Sequence, residues 1–247
     1  MEFDVLIPAR YSSTRLPGKP LLDIGGKPLI QWVCDCAGRS DAHRVLVATD
    51  DQRIKDVVDG FGGEAYLTRN DHTSGSDRVA ELVQRLGLAA DRIVVNVQGD
   101  EPRMPGLLID QVARALIDDD DTLVSTACHK IDSSDELNDP NVVKVVCDLQ
   151  GRALYFSRAA IPCARDSASS SVSALRHIGI YGFRVGFLSE FTSWPVAELE
   201  KTEQLEQLRI LENGVNIAVC EATVLPGPGI DTAADLASFR DWVSHNG

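Results

Sequence analysis

The sequence predicts an α/β fold built on a mixed, mostly parallel sheet. Through the first half of the 247 residues, short apolar runs alternate with segments whose apolar residues recur at helical spacing. One run, Ile93–Val97, is nearly all apolar, as in a central parallel strand that helices cover on both faces. This alternation is typical of parallel strands joined by right-handed crossover helices.

The elements of the first half follow in order from these patterns. Strands are predicted from the β-type runs at Phe3–Ile7, Arg44–Ala48, Glu64–Leu67 and Ile93–Val97. Helices are predicted where apolar residues recur every three or four positions, over Leu29–Ala37, Ile54–Phe61, Val79–Leu86 and Leu108–Ile117. Pro28 suits the first turn of the first helix, and Ser74 with Asp77 forms a capping box for the third.

The second half of the chain is less regular. Strands are predicted at Val142–Val146, Ala153–Phe156, Ile178–Phe183 and Asn216–Cys220, with less helix between them. These strands would either extend the sheet in antiparallel fashion or form a small β-rich region. The serine-rich segment Ser167–Ser173 predicts a surface loop, and a last helix is predicted to begin near Thr232, with Asp235 as its capping partner.

Composition excludes several classes of protein. Acidic residues number 37 and basic residues 24, which gives a formal charge of −13 and argues against binding to nucleic acid or anionic membranes. No apolar run approaches the roughly 18 residues that span a bilayer, and the first residues do not resemble a signal peptide. Six scattered cysteines without a CxxC pair favour reduced core thiols in a cytoplasmic protein.

A cationic loop directly follows the first predicted strand. Arg10, Arg15 and Lys19 fall within ten positions of one another in the run PARYSSTRLPGKP. In open α/β sheets the first such loop is the usual phosphate site, where arginine and lysine neutralise a polyphosphate. The run is neither a GxxxxGK[ST] loop nor a GxGxxG dinucleotide motif. The alternative is a surface loop with scattered charges, but the cations are unusually dense for an acidic protein.

Two aspartates are candidates for holding magnesium near that loop. Asp100 follows the most apolar strand in the run NVQGDEP, with Glu101 as a weaker candidate that could instead cap the next helix. Asp231 follows the turn PGPGI, and because Thr232 already supplies an N-cap, its carboxylate is free to bind a metal. An isolated strand-end aspartate is more often a turn former, so the metal interpretation depends on the cationic loop.

Nine motifs together resemble one enzyme family, 3-deoxy-D-manno-octulosonate (Kdo) cytidylyltransferase. They are, in order, ARYSSTRLPGKPL, VATDD, TRNDHTSGSDR, VNVQGDEP, DPNVVKVV, ALYFSRAAIP, LRHIGIYGFR, LEQLR and PGPGIDT. The resemblance extends from about Val5 to Leu236. It implies a Rossmann-like nucleotide-diphospho-sugar transferase fold and transfer of CMP from CTP to Kdo with Mg²⁺. It also implies a homodimer that activates Kdo for lipopolysaccharide synthesis.

The resemblance assigns roles to residues at matching positions. The nucleotide would be bound by Arg10, Ser12, Arg15, Lys19, Arg78 and Gln98. The sugar would be bound by Gln98, Arg158, Arg165, His177, Tyr181, Glu206 and Gln207. Magnesium would be held by Asp100 and Asp231, which join Arg15 and Lys19 as the catalytic set. Within a single domain over 1–247, residues 1–130 would bind nucleotide, 131–225 would bind sugar and form the dimer, and 226–247 would return to the nucleotide part.

Some alternatives remain open from the residues alone. His177 could be a satisfied structural histidine, and Glu206 and Gln207 could be solvated side chains. Cys163-Ala164 stands where many relatives have Trp-Asp, and the segment from Arg158 to His177 is shorter than in several of them. The preferred sugar could therefore be 8-amino-Kdo or a sialic acid. The chain could also be a non-catalytic regulatory protein that binds nucleotide.

Overall fold

The computed structural model describes residues 2–12, 15–165 and 173–246. Within these residues the strands are β1 (Phe3–Ala9), β2 (Asp23–Ile24), β3 (Lys27–Pro28), β4 (Arg44–Thr49), β5 (Glu64–Leu67), β6 (Ile93–Asn96), β7 (Val124–Lys130), β8 (Lys144–Cys147), β9 (Ala153–Ser157), β10 (Leu175–Arg184) and β11 (Ile217–Glu221). The α-helices of the same residues are α1 (Leu29–Ala37), α2 (Gln52–Gly60), α3 (Gly75–Arg85), α4 (Gly106–Ile117), α5 (Ser134–Asn138), α6 (Val185–Phe191), α7 (Glu198–Glu203), α8 (Gln207–Glu212) and α9 (Ala233–Asn246). A 3₁₀ turn covers Lys19–Leu21.

A nine-stranded mixed sheet forms the centre of the described molecule. Seven strands follow the order β11-β7-β10-β6-β1-β4-β5, and β8 and β9 join through β10. Strands β6, β1, β4 and β5 are parallel, whereas β10 runs antiparallel to both β6 and β7. The predicted α/β class with a mixed, mostly parallel sheet is therefore confirmed.

The sheet separates two apolar layers. Alternate residues of the central strands point to opposite faces, so Val5 and Ile7 join one layer while Leu6 joins the other. The first layer packs α1, α2 and α4, and the second packs α3, α6 and α8. A third, smaller cluster joins α9 to α1 and to the β2–β3 hairpin, and this places the last helix beside the first loop.

The elements predicted for the first half are confirmed, including the reciprocal capping box of Ser74 and Asp77. The described structure adds β7, the short strands β2 and β3, and four short helices, α5 to α8, which the sequence patterns did not predict. Strand β7 carries Ser125 and Thr126, which are fully buried and hydrogen-bonded. These polar residues interrupt the apolar run by which a central strand would be predicted. Helices of five to seven residues contain too few turns for an apolar period to be seen.

Two further predictions concern solvent and membrane. The segment 167–173 lies outside the described residues except for Ser173, which is exposed. Among the described helices, none has both the length and the apolar character required to cross a bilayer.

Candidate functional site

The carboxyl ends of β1 and β6 meet at one edge of the sheet. Leu6 of β1 pairs with Asn96 of β6, so the loops that follow these two strands are neighbours. The turn before α9 joins them, because the Ile230 N–H donates to the Asp100 carbonyl at 2.9 Å. A cavity of about 320 Å³ opens at this edge. It is lined by Pro8, Ala9, Arg10, Arg15, Lys19, Pro20, His72, Thr73, Ser74, Gly75, Arg78, Gln98, Gly99, Asp100 and Asp231.

Lys19 links the two predicted metal ligands. Its Nζ donates to Asp100 Oδ2 at 2.7 Å, to the Ile230 carbonyl at 2.8 Å and to Asp231 Oδ1 at 3.2 Å. The Lys19 side chain is 13% exposed, whereas Asp100 and Asp231 are 33% and 57% exposed. An ammonium group has three protons, so all three donors of Lys19 are used, and two carboxylates from distant segments are held at one point.

The position of Asp231 follows from how α9 begins. Asp235 accepts from the N–H groups of Thr232 and Asp231, at 2.7 and 3.0 Å, and the Asp235 N–H donates to the Thr232 hydroxyl at 3.2 Å. This reciprocal cap confirms the predicted pairing of Thr232 with Asp235. The Asp231 carboxylate is left to face Lys19 and Arg15, whose Nη2 lies 3.7 Å away.

The donor set at this edge fits a divalent cation shared with a substrate. Glu101 lies behind Asp100, and its pKa is raised to about 8, first by burial and then by the charges of Asp100 and Asp231. The carboxylates of Asp100 and Asp231 are offset by Lys19 and, at 3.7 Å from Asp231, by Arg15. Among the described residues no three acidic, histidine or cysteine side chains form a metal cluster, so substrate phosphates would have to complete the shell. Glu101 does not cap α4, whose N-cap is Pro105.

The predicted phosphate-binding cations surround the cavity mouth. Arg10 and Arg15 are exposed and line it, whereas Lys19 lies deeper. Ser12 is exposed beside positions 13 and 14, which lie outside the described residues. The loop therefore presents two exposed guanidinium groups at the cavity mouth and one largely buried ammonium inside it.

Arg78 and Gln98 form part of the cavity wall. Arg78 is 3% exposed and donates to Thr68 Oγ1 at 2.6 Å, to the Arg69 carbonyl at 3.2 Å and to Asp50 Oδ2 at 3.0 Å. Its guanidinium is therefore fixed in the wall by an ion pair. Gln98 follows β6, and its carbonyl accepts from the Glu101 N–H at 3.1 Å.

Three predicted sugar-binding residues lie deeper, on the α3 and α8 side of the sheet. Tyr181 stands opposite Asn96 in the antiparallel β6–β10 pair, and His177 packs at 5.4 Å from the Tyr181 ring. Glu206 precedes α8, and its Oε2 accepts from Ser76 Oγ at 2.8 Å. The structure thus brings Tyr181, His177 and Glu206 together behind the part of the cavity wall formed by Ser74 and Gly75.

The environment of His177 matches the structural alternative that the sequence left open. Thr126 Oγ1 donates its one proton to the Ile180 carbonyl at 2.7 Å, so His177 Nε2–H donates to Thr126 Oγ1 at 2.9 Å. Phe156 packs edge-on against the imidazole at 5.0 Å. Burial lowers the pKa of His177 to about 3, which keeps the ring neutral at physiological pH.

The same region contains polar atoms without partners. Among the described residues, the buried side-chain oxygens and nitrogens that lack a hydrogen bond are Asn96 Oδ1, Tyr181 Oη and Glu206 Oε1. Burial, and then the nearby Glu206, raise the pKa of Tyr181 well above its ordinary value. Burial likewise raises the pKa of Glu206. Glu206 Oε1 lies 3.7 Å from Arg209 Nη2, which is beyond hydrogen-bond distance but within ion-pair distance. Unsatisfied buried groups are rare in folded proteins, so Asn96 Oδ1 and Tyr181 Oη stand out as available acceptor and donor atoms.

The remaining predicted sugar residues are placed differently. Arg158 donates from Nε to the Glu203 carbonyl at 2.7 Å and from Nη1 to the Pro140 carbonyl at 3.0 Å, so its guanidinium ties two segments of backbone together. Arg165 is exposed at the end of the described part of its segment. Gln207 is 7% exposed in the first turn of α8.

Sequence reasoning missed part of the cavity wall. His72, Thr73 and Ser74 line it, and His72 Nε2 lies 2.5 Å from Glu81 Oε2 of α3. The sequence could have indicated these residues, because the run TRNDHTSGSDR follows β5 at the same edge of the sheet. Only Arg78 of that run was predicted to be part of the site. Asp50, which holds Arg78, was also missed.

The chain is similar to known proteins over nearly its whole length. A family model described as cytidylyltransferase matches residues 5–217. A 3-deoxy-manno-octulosonate cytidylyltransferase of Pseudomonas fluorescens is 56% identical, with 96% of each chain covered. The protein of that name from Photobacterium profundum is 52% identical, with 97% of this chain and 98% of its own covered.

Solved structures give the same result. A structure described as CMP:2-keto-3-deoxy-manno-octonic acid synthetase complexed with CTP superposes with a TM-score of 0.93 at 42% identity, over 100% of both chains. A 4-diphosphocytidyl-2C-methyl-D-erythritol synthase superposes with a TM-score of 0.64 at 12% identity, and this likeness concerns the fold alone.

Proposed function

The chain belongs to the 3-deoxy-manno-octulosonate cytidylyltransferases, within the cytidylyltransferase family, and we propose that it transfers CMP from CTP to the anomeric hydroxyl of Kdo. The products are CMP-Kdo and pyrophosphate. The observation that carries the proposal is the contact of one buried ammonium, Lys19, with Asp100 and Asp231 beside a cationic loop. A polyphosphate site and two carboxylates within reach of it are what nucleotidyl transfer requires.

The nucleotide would lie in the cavity at the ends of β1 and β6. Arg10 and Arg15 at its mouth would neutralise the outer phosphates, and Lys19 would reach the inner ones. Charge neutralisation and positioning are the main sources of catalysis in phosphoryl transfer. Arg78, which is fixed by its ion pair with Asp50, and Gln98 would form part of the wall against which the nucleotide lies.

Asp100 and Asp231 would hold Mg²⁺, completed by oxygens of the triphosphate. The ion would supply Lewis-acid stabilisation of charge on the reacting phosphate and a lower pKa for the attacking hydroxyl. Lys19 would then exchange its carboxylate contacts for phosphate contacts, because its three protons are already used in the free protein. The chain's own role is to deliver both carboxylates and the ammonium to the same point.

The transfer step forms one bond and breaks one bond at the α-phosphorus. The anomeric oxygen of Kdo bonds to phosphorus, the bond to the bridging oxygen of pyrophosphate breaks, and that oxygen leaves with the electron pair. Neutral His177 is poorly suited to accept the hydroxyl proton, because burial lowers its pKa to about 3. We therefore assign no general base among the side chains, and the hydroxyl proton would pass to a water molecule in the cavity.

The acceptor sugar would occupy the region behind Ser74–Ser76. Tyr181 Oη has no hydrogen-bond partner, and Glu206 Oε1 has only the 3.7 Å contact with Arg209. Both oxygens would suit the hydroxyls of a polyol, because a hydroxyl can both donate and accept a hydrogen bond. Arg165 would meet the sugar carboxylate, for which a guanidinium is a good bidentate partner. We also propose, from the family resemblance, a cytoplasmic homodimer that activates Kdo for lipopolysaccharide synthesis.

Pyrophosphate release tests the proposal directly. The purified chain is incubated with CTP, Mg²⁺ and one sugar at a time: Kdo, 8-amino-Kdo or a sialic acid. We expect stoichiometric pyrophosphate and CMP-Kdo with Kdo, and loss of both when EDTA replaces Mg²⁺. A higher kcat/KM with another sugar would overturn the choice of substrate. CTP binding without turnover of any sugar would instead favour a regulatory protein.

A further inference from the structure

Asp50 lies at the junction of the phosphate loop and the cavity wall. It is the first residue after β4, and β4 pairs in parallel with β1 up to Ala9 and Thr49. Asp50 therefore stands beside the start of the cationic loop. The sequence contains it in the run VATDD, where no role had been assigned to it.

The two carboxylate oxygens of Asp50 serve different partners. Oδ1 accepts from the Tyr11 backbone N–H at 3.1 Å, and Oδ2 accepts from Arg78 Nη2 at 3.0 Å. The side chains of Asp50 and Arg78 are 12% and 4% exposed, so the ion pair is largely shielded from water. One side chain thus connects the backbone of the loop to the wall of the cavity.

The contact at Tyr11 continues to the other end of the loop. The Gly18 N–H donates to the Tyr11 carbonyl at 3.2 Å, and a Cβ on Gly18 would lie 3.2 Å from the Tyr11 ring. Gly18 has φ +66° and directly precedes Lys19. Asp50 holds the Tyr11 backbone, and Tyr11 contacts Gly18. The position of Lys19, which follows Gly18, therefore depends on Asp50 through these contacts.

We propose that Asp50 is a positioning residue for CTP, which sets the phosphate loop and orients Arg78 before the nucleotide binds. The inference rests on the proposed function for the identity of the nucleotide. Asp50 does not line the cavity, so it acts through Tyr11 and Arg78 rather than by touching CTP. Its loss is expected to weaken CTP binding and to leave the apparent affinity for Kdo nearly unchanged.

Asp4 supplies a matched control. It is a buried aspartate paired with Arg44 at 2.9 Å and with Arg92 at 2.9 Å. It lies at the amino end of β1, whereas Asp50 lies at the carboxyl end of the neighbouring strand. Asp4→Asn therefore disrupts a similar buried ion pair at the opposite edge of the sheet. Both variants lose a buried ion pair, but only Asp50→Asn also removes a contact with the cationic loop.

The experiment compares Asp50→Asn with Asp4→Asn by calorimetric titration of CTP without sugar, and by the KM values for CTP and Kdo. We expect the Kd and KM for CTP to rise about tenfold or more in Asp50→Asn, and to change less than about twofold in Asp4→Asn. The KM for Kdo should change less than about twofold in both. Equal CTP affinity in the two variants would overturn the positioning role.

Two further measurements keep the outcomes distinct. If Asp50→Asn does not fold, Asp50→Glu keeps the charge but displaces it by one methylene, and it should show the same selective loss of CTP affinity. If Asp50→Glu binds CTP like the unmodified chain, the inference is wrong. Failure of the unmodified chain to use Kdo would overturn the sugar assignment, whereas the titration of CTP alone would still decide the role of Asp50.

Discussion

The Nζ atom of Lys19 lies 2.7 Å from Oδ2 of Asp100, so residues 81 positions apart form one ion pair at the carboxyl edge of the sheet. The same ammonium also contacts Asp231, 212 positions away. Lys19 therefore has two roles in the free protein: it offsets two carboxylates, and it holds the turn before α9 through the Ile230 carbonyl.

Removal of that ammonium should affect turnover and stability together. In Lys19→Met we expect kcat/KM for CTP to fall by at least about a hundredfold, because the proposed phosphate contact is lost, Asp100 loses its ion pair and Asp231 keeps only the 3.7 Å contact with Arg15. Lys27→Met is the matched control, since Lys27 forms a half-exposed pair with Asp35 away from the cavity. Steady-state kinetics and thermal unfolding would check both. A Lys19→Met variant as active as Lys27→Met would exclude Lys19 from catalysis.

Removing the charge of either carboxylate should affect chemistry more than folding. Asp100→Asn and Asp231→Asn are each expected to fold but to lose about a hundredfold or more in kcat, or a few kcal/mol of transition-state stabilisation. Both variants should also bind Mn²⁺ more weakly in the presence of CTP, measured by electron paramagnetic resonance. Asp121→Asn, in an exposed loop, should change neither. Normal Mn²⁺ binding in Asp231→Asn would remove that residue from the metal site.

Gly99 is required by a close approach of two backbones. A Cβ there would lie 2.7 Å from the Pro8 carbonyl oxygen and 3.5 Å from Ala9 Cβ, so Gly99→Ala must push the Asp100 loop away from β1. We expect a clear loss of kcat together with a lower melting temperature. Gly60→Ala, where an added Cβ meets nothing within 4 Å, should behave like the unmodified chain. Full activity in Gly99→Ala would show that the placement of Asp100 tolerates movement.

The neutral state of His177 gives a dependence of stability on pH. Its folded pKa of about 3 lies below the ordinary value of 6.5, so the unfolded chain binds the extra proton between these values. Above pH 6.5, His177 therefore does not lower the free energy of unfolding. Below pH 6.5 the free energy of unfolding falls as the pH decreases toward 3. At pH 5 the loss is on the order of 1–2 kcal/mol.

His177→Asn should remove that part of the pH dependence. Urea unfolding at pH 7.5 and pH 5, compared between the unmodified chain and the variant, would measure it. The pH profile of kcat/KM between 6 and 9 should keep its shape in the variant. If an ionisation disappeared from that profile, His177 would have a direct part in proton transfer.

Local patterns predicted much of the frame and some of the site. The box of Ser74 with Asp77 and the pairing of Thr232 with Asp235 were readable, because each involves residues three positions apart. The convergence of the cationic loop with Asp100 followed from the rule that parallel strands place their carboxyl ends at one edge. These inferences needed only spacing and strand direction.

Other features depend on contacts that no local pattern encodes. The ion pair of Asp50 with Arg78 and the threefold coordination of Lys19 join distant segments. Asn96 is the one polar residue of β6, and nothing in the local sequence indicates that its side-chain oxygen has no hydrogen-bond partner. Strand β7 was missed for the converse reason, since its polar side chains find partners only after the sheet assembles.

The order of the segments along the chain separates the making of the sheet from the completion of the site. The nine strands of the main sheet, as described, lie between Phe3 and Glu221, whereas Asp231 comes ten residues after the last strand. The second carboxylate therefore reaches Lys19 only when the segment after the last strand folds back onto the edge of the sheet. Until that turn docks, Lys19 lacks two of its three acceptors, the Ile230 carbonyl and Asp231, and the edge carries one carboxylate contact to its ammonium instead of two.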